Sequence, residues 1–327
     1  MKKNIPLYIS ILVPASIAVF ILGLTFGSVD MSSSQLLAAV NGTDENAHVI
    51  LFDLRLPRVL AAGFAGVGLA TAGLLLQTVT GNDLCAPNII GINAGAGCAV
   101  MLFLCFAPMH YRAMPVAAFA GAIITVLVVL GIAFAGSGLF EKSTLVLAGV
   151  AVSALLNAFI SFLSLKFPEV LSTYSAFSIG GFLGIEFAAL QVPILIIIFC
   201  IAISLLLSGK LKILLLGDDV ASSLGVNVGL LRFVAVALAS ALCAAVVSYA
   251  GLLGFIGLAV PHISRRLCGQ DIWYNICCTS LLGWILVISA DLVGRTVFAP
   301  TEIPAGTITA ILGCPFFLYL LLRKRGK

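Results

Sequence analysis

The chain has 327 residues, 61% of them hydrophobic and 9% charged, with a mean hydropathy of +1.21, whereas about a quarter of the residues in soluble domains are charged. A water-soluble globule is excluded, as is a disordered chain, which needs low hydrophobicity and high net charge. The net charge of +4 is small and dispersed, so no nucleic-acid partner is expected.

One bilayer crossing takes about 20 apolar residues, so this apolar content suffices for about ten spans joined by short connections. The first run, Ile5 to Phe26 behind Lys2 and Lys3, is too long for a signal-peptide core of about 7–15 residues and reads as an uncleaved span. With this one at 5–27, further spans are predicted at 57–80, 114–136, 142–166, 191–208, 228–250, 273–296 and 305–322. Two more runs, 93–107 and 257–267, are shorter than a bilayer requires and read as short, tilted or half-buried helices. The expected fold class is all-α: one polytopic membrane domain over 1–327 with about ten transmembrane helices, two of them short.

Orientation follows from the basic residues, which resist translocation. With the amino terminus inside and all ten segments crossing, Arg55, Arg58, Arg112, Lys166 and Arg295 lie outside; the other twelve of the 17 Lys and Arg lie inside. Both termini are then cytoplasmic.

Nine cysteines do not make a disulfide framework here. Cys98, Cys105, Cys200, Cys243 and Cys314 lie in apolar runs and read as small buried hydrophobes. Cys277 and Cys278 are adjacent and no C-x-x-C pair occurs, so no metal site is expected.

Helix packing in lipid relies on small residues, and Ala62, Gly66 and Ala70 supply one ridge. A second, Gly149, Ser153, Asn157 and Ser161, winds slowly around the fifth segment and is the most polar stripe in the membrane. Interhelical hydrogen bonding and lining of a solute pathway both explain it. Ionisable groups are otherwise scarce in the spans. Asp291 sits near an outer end, and His262 after Pro261 reads as structural before it reads as a proton relay. Proton coupling is therefore disfavoured, while a stand-alone sodium-coupled carrier stays open, because backbone carbonyls at broken helices can hold sodium. No G-x-x-x-x-G-K-[ST] motif is present, since Gly209-Lys210 precedes Leu211. Any ATP energy must come from another polypeptide. The inner stretch 210–228 could receive it: Asp218 can favour the start of a short helix and Gly225 its end.

Four stretches together point to a family. Arg55-Leu56-Pro57-Arg58, the loop Gly217 to Val228, Gly254-Phe255-Ile256-Gly257-Leu258-Ala259-Val260-Pro261-His262, and Glu302-Ile303-Pro304-Ala305-Gly306 through Gly313-Cys314-Pro315-Phe316-Phe317 resemble the FecCD-type permeases. These are subunits of type II binding-protein-dependent ABC importers for iron-siderophore, haem and cobalamin. The resemblance covers roughly 50–325 and implies ten helices, including the two short segments. It implies a second permease subunit, identical or paralogous, two ATP-binding subunits beneath, and an external substrate-binding protein above. No enzyme activity and no cofactor are expected in this chain; a partner hydrolyses ATP, and access alternates. A ferric siderophore is the first expectation for the cargo, with haem or cobalamin as alternatives, across a bacterial inner membrane.

Carried over by position, Gly217, Asp218, Asp219, Val220, Ala221, Leu224 and Gly225 form the element that couples to the ATPase. Asn82, Leu84, Ser143 and Thr144 match the cytoplasmic gate, although the family's N-P-L-A reads Asn82-Asp83-Leu84-Cys85 here. Arg55, Arg58 and Arg295 match arginines that meet acidic side chains of the binding protein, a pairing suited to bidentate geometry. The rival reading pairs Arg295 with Asp291 and Arg55 with Asp53. In the family the fifth and tenth helices border the pathway, which agrees with the Gly149, Ser153, Asn157, Ser161 stripe.

Overall fold

The computed structural model describes residues 5–27, 32–135, 142–297 and 299–324. Lys2, Lys3, Arg325 and Lys327, counted toward the inner side, lie outside them. Among the described residues the chain is all-helical. In order it runs α1 (Ile5–Thr25), α2 (Ser33–Asn41), α3 (Glu45–His48) with a π-helical turn to Arg55, α4 (Leu56–Thr80), α5 (Ile92–Phe106), α6 (Met114–Ala135) and α7 (Lys142–Lys166). Next are α8 (Leu171–Ile179), α9 (Phe187–Leu206), α10 (Ser208–Leu214), α11 (Asp218–Ser223), α12 (Val228–Ala250), α13 (Ile256–Cys268), α14 (Ile272–Thr296) and α15 (Ala305–Lys324).

The centre is α4, which packs against α14, α12, α13 and α9 and is buried along most of its length. Its composition explains the position. Pro57 stands in its first turn, directly after the π-helical turn to Arg55, and Gly81 ends it at φ +66° in the left-handed region. Between them, Gly66 faces Gly283 of α14 so closely that a Cβ on Gly66 would lie 2.0 Å from the Gly283 carbonyl oxygen. Gly73 meets Gly257 of α13 in the same way, at 1.9 Å. Within the ridge predicted at Ala62, Gly66 and Ala70, Gly66 thus makes a backbone-to-backbone contact and Ala70 sets its Cβ against Gly283, the means by which helices associate where hydrophobic burial supplies no drive.

Around α4, α6 joins α5 to α12, and α1 lies on α14. The two short runs are helices of 15 residues (α5) and 13 residues (α13), about 20 Å long at 1.5 Å per residue and short of a hydrocarbon core of about 30 Å. Among the described residues, seven helical stretches, counting the continuous one from Glu45 to Thr80, are long and apolar enough to cross a membrane. Together with the exposed apolar faces of α1, α7 and α9, they make this a polytopic membrane protein. The segment expected at 191–208 begins earlier, at Phe187, and Cys314, expected to be buried, is exposed on α15, which packs on α13 and α14.

Where α12 breaks, residues 251–255 leave the helix and Phe255 takes a left-handed φ of +65° before α13 starts. Backbone groups freed there are satisfied across the fold: Gly181 N–H donates to Ala250 O, Leu252 N–H to Phe177 O, and Gly306 N–H to Gly180 O. Irregular backbone at such a depth requires this internal pairing.

Candidate functional site

The loops gather at two opposite ends. At one end the 81–85 turn, α10, and the turn between α13 and α14 surround a cavity of about 580 Å3, lined among others by Gln77, Asp83, Lys212, Arg265 and Arg266. At the other, Gly27, Arg55, Arg58, Glu186, Arg295 and Glu302 line a pocket of about 430 Å3. This grouping agrees with the alternation of loops read from the sequence.

At the first end, α11 spans Asp218–Ser223. Gly217 enters it at φ +107° and Gly225 leaves it at φ +79°, both conformations that favour glycine. Gly225 N–H donates to Ser222 O and Val226 N–H to Ala221 O, the paired bonds of a Schellman ending. Asp218 and Asp219 occupy the first turn, where the helix dipole favours them. Asp218 also accepts from Arg232 of α12 at 2.6 and 2.8 Å, so α11 is clamped to the body of the protein. Ala221 faces inward, fully buried, whereas Val220 and Leu224 are 42% and 60% exposed beside exposed Leu216. This helix of about one and a half turns thus shows apolar side chains at the surface while its first turn is tied to α12.

Beside it, Asn82 Oδ1 accepts from Leu84 N–H at 3.0 Å and holds a tight turn. Asn82 is exposed and Leu84 half-buried. Asp83 pairs with Arg265 in the last turn of α13. Lys212 of α10 pairs with Asp271 at 2.7 Å, and this ammonium holds the Asp271 carboxyl below its ordinary range. Ser143 is exposed and Thr144 half-buried at the start of α7.

The polar stripe of α7 divides. Gly149 is buried against the backbone of Ile89, where a Cβ would lie 2.3 Å from the carbonyl oxygen, and half-buried Ser153 donates back to Gly149 O. Asn157 and Ser161 are exposed. Helix packing accounts for the first pair; the second pair faces outward among exposed Leu155, Phe159 and Phe162.

At the far end the arginines lie deeper than the sequence suggested. Arg58 Nε and Nη2 donate to Asp291 at 2.9–3.1 Å while Nη1 donates to Glu302 at 2.8 Å. Arg295 lies 3.4 Å from Asp291, as the rival reading had it, and donates to Gly23 O. Arg55 is buried and donates to Leu24 O and Thr25 O at the end of α1; the predicted alternative partner Asp53 is exposed. Asp291 thus ties α4 to α14, and Glu302 ties both to the approach of α15. Sequence reasoning did not find this hub: Asp291 was visible as a charge near a span end, but its partner on α4 lies 233 residues away.

Comparisons with known proteins follow the same lines. The profile of the FecCD transport family matches residues 15–323. The Fe(3+)-citrate import system permease protein YfmE of Bacillus subtilis is 37% identical over 98% of this chain and 96% of its own length. The ferric enterobactin transport system permease protein FepD of Escherichia coli is 34% identical, over 93% and 91%. A solved structure described as an inward-facing conformation of a metal-chelate type ABC transporter superposes with a TM-score of 0.88 at 28% identity, covering 97% of this chain and 99% of that one. These permeases are transport subunits rather than enzymes. The chain belongs to the FecCD transport family.

Proposed function

We propose that this chain is the membrane subunit of an ABC importer that moves an intact iron-chelate, in the first place a ferric siderophore, across a bacterial cytoplasmic membrane. Access alternates between the two ends, and a separate ATPase supplies the energy. Family membership across nearly the whole chain, together with the 0.88 superposition on a metal-chelate type ABC transporter, carries this reading.

The end bearing α11 faces the cytoplasm, and two ATP-binding subunits dock there. The clamp from Arg232 and the exposed Val220 and Leu224 support this placement. The second permease subunit, identical or paralogous, covers the exposed face of α7, so that Asn157 and Ser161 border a pathway between the two subunits. The 81–85 turn with Ser143 and Thr144 closes that pathway at the inner end. The external binding protein docks at the other end, at the mouth of the pocket of about 430 Å3 that Arg55, Arg58 and Arg295 line together with Asp53, Glu186 and Glu302.

The test is co-expression with the ATPase and reconstitution into vesicles. ATP-dependent uptake of ferric siderophore should stop when the phosphate-binding lysine of the ATPase is replaced. Uptake that survives that replacement would refute the proposal.

A further inference from the structure

Two ion pairs lead from α10 to the 81–85 turn. Lys212 on α10 meets Asp271, which leads into α14 from the turn after α13. In the last turn of α13, Arg265 meets Asp83. Lys212 lies in the last turn of α10, from which the chain turns through Gly217, whose N–H donates to Leu214 O at 3.2 Å, into α11. Open space of about 580 Å3 lies between α10, α13 and the 81–85 turn. Beside that space α10 packs on α14 and α4, and the two ion pairs flank it, Lys212 with Asp271 and Arg265 with Asp83. All four side chains are partly solvated, from 20% exposed at Arg265 to 58% at Lys212. Each pair can thus open and re-form without stranding a buried charge.

We propose that Lys212–Asp271 and Arg265–Asp83 form a linkage that carries movement of α10 and α11 to the 81–85 turn, with Lys212 and Arg265 as positioning residues. The inference rests on the reading of α11 as the ATPase contact and of the turn as the inner gate. A linkage of this kind needs elements with two discrete arrangements whose contacts differ in energy. An ion pair that is made in one arrangement and broken in the other meets that need.

The experiment uses the assembled complex of permease subunits and ATPase in proteoliposomes and reads the number of ferric siderophore molecules taken up per ATP hydrolysed. In D83N and in K212Q that ratio should fall about two- to fivefold, the shift that one solvated pair can produce in an equilibrium. In the double variant with Asp83→Arg and Arg265→Asp at least half of the loss should be recovered. A merely structural role would lower complex yield, hydrolysis and uptake together and leave the ratio unchanged, which would overturn the linkage, as would a charge swap no better than D83N. Absence of ATP-driven uptake in the unaltered complex would instead strike the proposed function itself.

Discussion

Asp291→Asn puts the greatest strain on the account of the outer end. Asp291 is 3% exposed and serves two guanidiniums: Arg58, 13% exposed, and Arg295, 3% exposed. Removing its charge leaves both cations close together with their side chains largely covered. Arg58 keeps Glu302 at 2.8 Å, whereas Arg295 keeps the Gly23 carbonyl and no carboxylate. Breaking one partner of a buried pair costs about 3–5 kcal/mol. The surviving Glu302 contact places the expected loss near about 3 kcal/mol, or about a hundredfold in the folding equilibrium. Glu302→Gln removes a contact whose acid is 20% exposed and should cost about 1 kcal/mol. Unfolding by sodium dodecyl sulfate in lipid–detergent micelles can be followed by the fluorescence of Trp284, which packs on Phe20 and Phe64. A loss below about 1 kcal/mol for D291N, or an equal loss for E302Q, would refute the reasoning from burial.

Further substitutions probe the remaining parts. Gly66→Ala should destabilise the protein by at least about 1–3 kcal/mol, because its methyl group would meet a carbonyl oxygen, whereas Gly131→Ala, with nothing within 4 Å, should be neutral or stabilising in the same unfolding assay. Val220→Asp or Leu224→Asp should weaken co-purification with the ATPase at least about tenfold, since a charge would replace an apolar contact; full retention would remove α11 as the docking element. Charge reversal at Arg58 would set a carboxylate against Asp291 and Glu302, so loss of folded protein is expected rather than a selective loss of docking. Asp53→Arg and Glu186→Arg, both exposed on the pocket wall, should shift binding-protein affinity several-fold at low salt, and unchanged affinity would argue against this pocket as the docking surface.

Hydropathy locates helices: the ten apolar segments agree with α1, α4 to α7, α9 and α12 to α15 to within a few residues, and among the described residues seven of the stretches have the length and composition a bilayer imposes on a crossing. The short helices α2, α3, α8 and α10 escaped notice. None is long or apolar enough to signal a span, and their stability comes from local caps, such as the box formed by Ser32 and Gln35, and from neighbours distant in sequence. At the candidate site, α11 was readable because glycine at both ends and aspartate in the first turn are local signals. The burial of Arg55 and Arg295 was not, since it depends on where α1 ends relative to α4 and α14, which no spacing within one segment encodes. The α7 stripe was found as a stripe, yet its division into a packed half, Gly149 and Ser153, and an open half, Asn157 and Ser161, appears only once Ile89 is placed against it.

The central claim, that this chain is a conduit driven by a separate motor, is tested most directly by uptake of radiolabelled ferric siderophore into proteoliposomes carrying the permease with and without its ATPase. Internal ATP, or an imposed sodium or proton gradient, would serve as the energy source. The account predicts uptake only when ATPase and ATP are both present, with no response to either gradient. Accumulation driven by a gradient in vesicles that hold the permease alone would contradict it.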